Sequence, residues 1–186
     1  MSLDFDTLDF KLDWPIIGKF KDDIYPYHGY ETIRYTARGL IENQDGNFGF
    51  LHIVGEDFFG KRDHLETCGG GLEENEYIDE CFEREALEEL GCTLKDIVLI
   101  GSIIDSYNLI KRITCSTFFY GKVDTLDEEK ISRTLEEKIL IKEILWLNPY
   151  EALDRLKNKQ HKNKCDLIVQ RRDALALEYY LKHTNR

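Results

Sequence analysis

A chain of 186 residues with 42% hydrophobic and 12% aromatic content is long enough to bury the core of one domain, and its formal net charge of −11 argues against general binding to nucleic acid or anionic membranes, which needs clustered Lys and Arg. The five cysteines, Cys68, Cys81, Cys92, Cys115 and Cys165, are scattered and form no CxxC pair, so neither a disulfide framework nor a zinc site is indicated and a reducing cytoplasm is the expected setting. No basic-plus-apolar N-terminal signal and no apolar run near about 18 residues occurs, so neither secretion nor a membrane span is expected.

Residues 1–30 are mixed, with Trp14, Pro15, Tyr25, Pro26 and Tyr27, and read as an irregular arm that packs aromatics. From Thr32 to Ile41 the chain is rich in strand formers, NQDGN at 43–47 is turn chemistry, and FGFLHIV at 48–54 is a second strand, which together predict a hairpin. GEDFFGKRD at 55–63 breaks the pattern as a charged loop before the short run HLETC. Three glycines, Gly69 to Gly71, then precede an acidic helix that Gly91 ends as C-cap. IVLIGSII at 97–104, ITCSTFFYGKV at 113–123 and ILIKEILWL at 139–147 read as strands, Pro149 to Leu156 as a short helix and Cys165 to Lys182 as a longer one. Strands with flanking helices predict an α/β layered domain. The basic stretch RLKNKQHKNK at 155–164 reads as a solvated linker, and His52 and His64 as ordinary strand and loop residues. Tyr107, Phe118, Phe119 and Tyr120 offer stacking surfaces, although aromatic strand residues are more often core.

The acidic helix is unusual in where its acids fall. At about 100° per residue from Ile78, the apolar Cys81, Phe82, Ala86 and Leu90 span an arc from roughly −60° to +120°. Glu85 at about −20° and Glu89 at about +20° lie inside that arc and Glu88 at about −80° on its edge, whereas Glu80 and Glu83 point to the opposite, solvated side. Carboxylates gathered at a core margin repel one another and are costly to keep charged, a conflict that a bound cation removes. Oxygen ligands without His or Cys suit Mg²⁺ or Mn²⁺ better than Zn²⁺.

Charge patterning alone would read this helix as a solvated face, but its spacing does not. Gly70, five residues, Glu76, seven residues, Arg84-Glu85, an apolar residue, any residue, Glu88-Glu89, any residue, Gly91 and an apolar residue resemble, at every fixed position, the signature of the Nudix hydrolases. Seven identities at fixed spacing have a chance frequency of roughly 10⁻⁸ per start position at average residue usage. Ala86 and Cys92 stand where the family has bulkier aliphatics, and Asn75 where glycine is frequent. No GKS/T or GxGxxG accompanies Gly69 to Gly71, which sets a phosphate-cradle reading aside.

The resemblance implies the Nudix fold, a mixed β-sheet sandwiched between α-helices, with a core over residues 31–156, an N-terminal arm over 1–30 and a C-terminal helix over 157–186 packed on the core. It implies that Glu85, Glu88 and Glu89 bind Mg²⁺ or Mn²⁺ together with a backbone carbonyl from the glycine turn, Gly69 or Gly70, while Glu76 and Arg84 form a structural ion pair. The reaction implied is water attack on the pyrophosphate bridge of a nucleoside diphosphate derivative, with Glu85, Glu89 or an acid of the loop before ILIKEILWL, Glu136 or Glu137, as base. Glu137 is the preferred choice. The resemblance leaves a homodimer open. Some relatives that hydrolyse ADP-ribose carry a proline about fifteen residues after the signature, which is missing here, and some dinucleoside polyphosphate hydrolases carry a tyrosine near the place of Tyr107. The rival reading is a Nudix-fold nucleotide sensor without turnover, but such domains usually lose signature carboxylates and this chain keeps them.

Overall fold

A computed structural model of the chain describes residues 2–158 and 163–184. The first strand, β1 (Ile16–Phe20), lies inside the stretch expected to be irregular. It pairs in parallel with β5 (Cys92–Tyr107), a long-range partnership that local sequence does not announce. β2 (Thr32–Glu42) and β3 (Phe48–Asp57) meet through the 43–47 turn, where Asn43 Oδ1 accepts from the Asn47 N–H at 2.9 Å. Their pairing is limited to Glu42 with Phe48, however, because β4 (Gly60–Gly71) inserts between them. The expected β2–β3 hairpin is therefore only its turn.

The charged stretch GEDFFGKRD is strand, not loop. β3 and β4 continue through it as a hairpin with Asp57 paired to Gly60, so only Phe58 and Phe59 form the turn. Two of its charges pair within the fold: the buried Arg62 guanidinium contacts Asp57 at 2.7 Å and also pairs with Asp166. The acidic helix is α1 (Ile78–Leu90), and Gly91 closes it in the left-handed region at φ 70°, donating its N–H to the Leu87 carbonyl at 3.0 Å.

β5 and β6 (Arg112–Leu126) both run longer than their apolar centres predicted. Ile139 and Leu140 close a short helix, α2 (Leu135–Leu140), so the strand read over 139–147 is β7 (Ile141–Leu147). α3 (Pro149–Asn158) and α4 (Lys164–His183) follow as predicted within a residue or two. Residues 159–162 of the expected linker lie outside the described residues.

The strands form one mixed sheet in the order β1-β5-β6-β2-β4-β3-β7, with β1–β5 and β2–β6 parallel. On one face Phe82, Ala86 and Leu90 of α1 pack on Ala37, Ile41, Leu51 and Phe119, the Phe82 and Phe119 rings stacking at 5.2 Å. On the other, Leu156 of α3 and Leu177 of α4 pack on Leu40, Phe48 and Phe50. The sheet thus lies between helices, as the resemblance implied. Phe118, Phe119, Tyr120 and Tyr107 are buried in these layers, so none is a free stacking surface.

Candidate active site at the acidic helix

The glycines form the C-terminal end of β4 and pair with β2, Gly69 with Arg38 and Gly70 with Ala37, so the expected glycine turn is strand. This places them directly against α1. A Cβ on Gly70 would stand 2.0 Å from Glu85 Oε1, so only glycine lets the carboxylate approach the strand. The Gly69 N–H donates to Glu89 Oε2 at 2.8 Å.

The wheel assignment of the acids agrees with their burial: Glu85 and Glu89 are 6% and 5% exposed, while Glu80 and Glu83 face solvent. Glu88 is half-buried. Burial, with the Glu85 charge adding to it, pushes the Glu89 carboxyl up to about 8 against the pull of the Gly69 N–H. Burial also raises Glu85, with Arg84 opposing and the charges of Glu88 and Glu137 adding to the rise. Cys68 beside Glu89 is fully buried and its thiol is held well above the ordinary range by that burial, which leaves it inert.

Arg84 organises the loop that leads into α1. Its Nε and Nη2 donate to the two Glu76 oxygens at 2.7 and 3.1 Å, and Nη2 also donates to the Gly71 carbonyl at 3.1 Å. Nη1 donates to Glu85 at 2.8 Å and Glu88 at 3.1 Å. One guanidinium thus ties loop, strand and helix. Asn75 turns the loop at φ 65°, a conformation that asparagine tolerates better than most residues and that accounts for glycine being frequent there.

Glu136 and Glu137 stand not in a loop but in the first turn of α2. Glu137 is committed in part to a capping box, its Oε2 accepting from the Thr134 N–H at 2.7 Å. The preceding segment is fastened to the end of α1: Ser132 N–H donates to the Glu88 carbonyl at 3.0 Å and Arg133 to the Glu89 carbonyl at 2.7 Å. As a result, Glu136 and Glu137 line one cleft of about 270 Å³ with Gly69, Glu89, Glu66 and Arg34. A hollow of about 330 Å³ between α3 and α4 lies away from these acids.

Glu66 and Arg34 were not found by sequence reasoning. Glu66 contacts Arg38 at 2.8 Å and Arg172 at 3.2 Å. No local pattern marks single charged residues on a strand, so their place in the cleft follows only from the sheet order.

Among the described residues no three His, Cys, Asp or Glu side chains are already gathered as a ligand set, since Glu85 and Glu88 turn toward Arg84 and Glu89 toward Gly69. The donor chemistry nonetheless fits a hard divalent cation. Three carboxylates share one helix side, two of them are buried at the expense of their charge, and no imidazole is among them.

A mixed sheet between helices, with a Glu76–Arg84 pair holding the loop that leads into three acids on one helix side, defines an α/β domain of the kind to which the signature points. A family model, the NUDIX domain, matches residues 33–167, more than half of the sequence, and the chain belongs to that family. Three solved structures are similar in fold. A NUDIX hydrolase from Nitrosomonas europaea has a TM-score of 0.60 and 22% identity over 80% of this chain and 88% of that one. A MutT protein from Methanosarcina mazei has a TM-score of 0.58 and 16% identity over 84% and 98%. A MutT NUDIX hydrolase from Burkholderia pseudomallei has a TM-score of 0.53 and 16% identity over 76% and 98%. No curated protein matches the chain. Among the described residues no helix is long and apolar enough to cross a membrane.

Proposed function

We propose that the protein is a divalent-metal-dependent hydrolase that cleaves the pyrophosphate bond of a nucleoside diphosphate derivative. The observation that carries this reading is the burial of Glu85 and Glu89 beside Glu88, on a helix whose approach loop is pinned by Arg84 and Glu76. Glu85, Glu88 and Glu89 would hold Mg²⁺ or Mn²⁺, with a carbonyl of Gly69 or Gly70 as a further oxygen donor. Such a cation, when bound, neutralises phosphate oxygens and lowers the pKa of water.

The chain's own residues supply the remainder. Arg84 holds Glu85 and Glu88 side by side at 2.8 and 3.1 Å from one nitrogen, so both are oriented before a substrate arrives. The Gly69 N–H fixes one oxygen of Glu89, and the residue lines the cleft. Glu137, across that cleft and with one oxygen held by the Thr134 N–H, is our choice of proton acceptor for the attacking water, ahead of Glu136, Glu85 and Glu89. Glu76 and Arg84 act as structural support.

The test is a screen of the full chain with Mg²⁺ or Mn²⁺ against nucleoside diphosphate derivatives, following phosphate-bearing products. Turnover that disappears with chelator supports the reading. Tight nucleotide binding without turnover of any substrate would replace it with the sensor reading.

A further inference from the structure

The carbonyls at the C-terminal end of α1 are taken up by a segment some forty residues further along the chain. A helix leaves its last four carbonyls without partners of its own, and that negative end favours a cation. The last turn of α1 holds no basic residue, and the Gly91 N–H answers only the Ala86 and Leu87 carbonyls. The next two are met from outside the helix: the Ser132 N–H donates to the Glu88 carbonyl at 3.0 Å, and Arg133 Nη2 donates to the Glu89 carbonyl at 2.7 Å. The Asp127 N–H also donates to the Gly91 carbonyl at 2.8 Å. Gly91 makes this approach possible. A Cβ there would stand 2.5 Å from the Asp127 carbonyl oxygen, so the residue that ends the helix also lets the segment close on it.

Beyond Arg133, α2 has little packing of its own. None of its six residues is buried, and Leu135 and Ile139 are 81% and 70% exposed. A helix this short is not stable by itself in water. At its far end Leu140 packs over Gly55 of β3, and at its near end stand the two bonds to α1. The position of α2 is therefore set from its ends.

The near anchor leads directly to the cleft. Thr134, next to Arg133, caps α2: its N–H donates to Glu137 Oε2 at 2.7 Å, and its Oγ1 accepts from the Glu137 N–H at 3.3 Å. The Glu89 carbonyl, Arg133, Thr134 and Glu137 thus form one run of contacts, and Glu89 and Glu137 at its two ends line the same cleft. Among the described residues Arg133 donates only to that carbonyl, and its buried Nε has no partner.

We propose that Arg133 is a positioning residue: by capping the C-terminal end of α1 it sets where Glu137 stands relative to the acids of that helix. This rests on the choice of Glu137 as proton acceptor and deepens it, because a displacement of about 1 Å at a reacting group can cost about a hundredfold in rate.

The experiment has two arms on the full chain. In the first, spin labels are attached through Glu83→Cys and Ile139→Cys, both at exposed positions, while the five native cysteines are buried. Pulsed EPR then reads the distance between α1 and α2 with Arg133 intact, with Arg133→Met, which keeps the aliphatic stem and removes the donors, and with Arg133→Lys. Arg133→Met is expected to widen the distance distribution at least twofold, and Arg133→Lys to widen it less. An unchanged width in Arg133→Met would overturn the clamp. In the second arm, kcat and KM are measured without labels, with Mg²⁺ and with ATP or ADP-ribose. Arg133→Met should lower kcat at least tenfold and change KM less than twofold. In a Glu137→Gln background the same substitution should change kcat less than twofold, because the group it positions is already gone. Losses that add in the double variant, or a raised KM at constant kcat, would overturn the positioning role. If wild type turns over neither compound, the hydrolase reading fails, and the distance arm alone decides whether Arg133 holds α2 to α1.

Discussion

In the proposed site Arg84 is placed to support the acids without taking part in the chemistry. Its five donors are spent on Glu76, Glu85, Glu88 and the Gly71 carbonyl, so its removal would release the loop and leave half-buried carboxylates facing one another. Arg84→Ala is expected to cost about 2 kcal/mol in stability, the order of one or two charge-assisted hydrogen bonds, and to lower turnover together with the melting temperature. Loss of turnover at an unchanged melting temperature would show that Arg84 contacts the substrate instead. Glu88→Gln and Glu89→Gln belong to the other group. Glutamine preserves shape and lets residue 89 keep accepting the Gly69 N–H, so both variants should fold while turnover falls at least about a hundredfold, since a metal contributes several kcal/mol to the transition state. Normal rates in both would dismiss the proposed ligand set.

At the scale of elements, α4 is held to β4 by polar contacts as well as by its apolar face. Asp173 accepts the Thr67 N–H at 2.7 Å, and Asp166 lies 3.0 Å from His64 Nδ1 and also binds Arg62. Burial alone would lower the His64 pKa, but Asp166 and Glu66 outweigh it and the net shift is upward. A histidine whose folded pKa exceeds its unfolded value of about 6.5 stabilises the fold fully below that pH and loses the contribution as pH rises through the folded value. The melting temperature should therefore decline as pH rises above about 6.5, and His64→Gln should flatten that decline. A decline of the same size in the variant would assign it to other groups.

Legibility in the sequence divides along the same lines. α1 could be read because its periodicity, its cap at Gly91 and its embedded acids are all local. β1 could not, because IIGKF becomes a strand only by pairing with β5 some eighty residues away. The β3–β4 hairpin was hidden by charges, of which Arg62 and Asp57 pair with each other and Arg62 also with Asp166, and Arg34 and Glu66 became cleft neighbours only when β2 and β4 were laid side by side.

In the whole molecule, the acidic surplus is not evenly matched by the bases. Arg38, Arg84 and Arg172 are paired within the fold, and Glu89 of α1 lines one cleft with Arg34, Glu66, Glu136 and Glu137. Under the proposed function, a bound cation would offset the repulsion between this acidic protein and an anionic substrate. The most direct measurement of this account is hydrolysis of a nucleoside diphosphate derivative in ¹⁸O-labelled water, with and without Mg²⁺ or Mn²⁺. If the acids of α1 present a metal to the pyrophosphate bridge, turnover should require the divalent cation and the label should appear on a phosphate product, because the bond broken is P–O within the bridge. Turnover that persists in chelator, or label on a sugar hydroxyl, would contradict it.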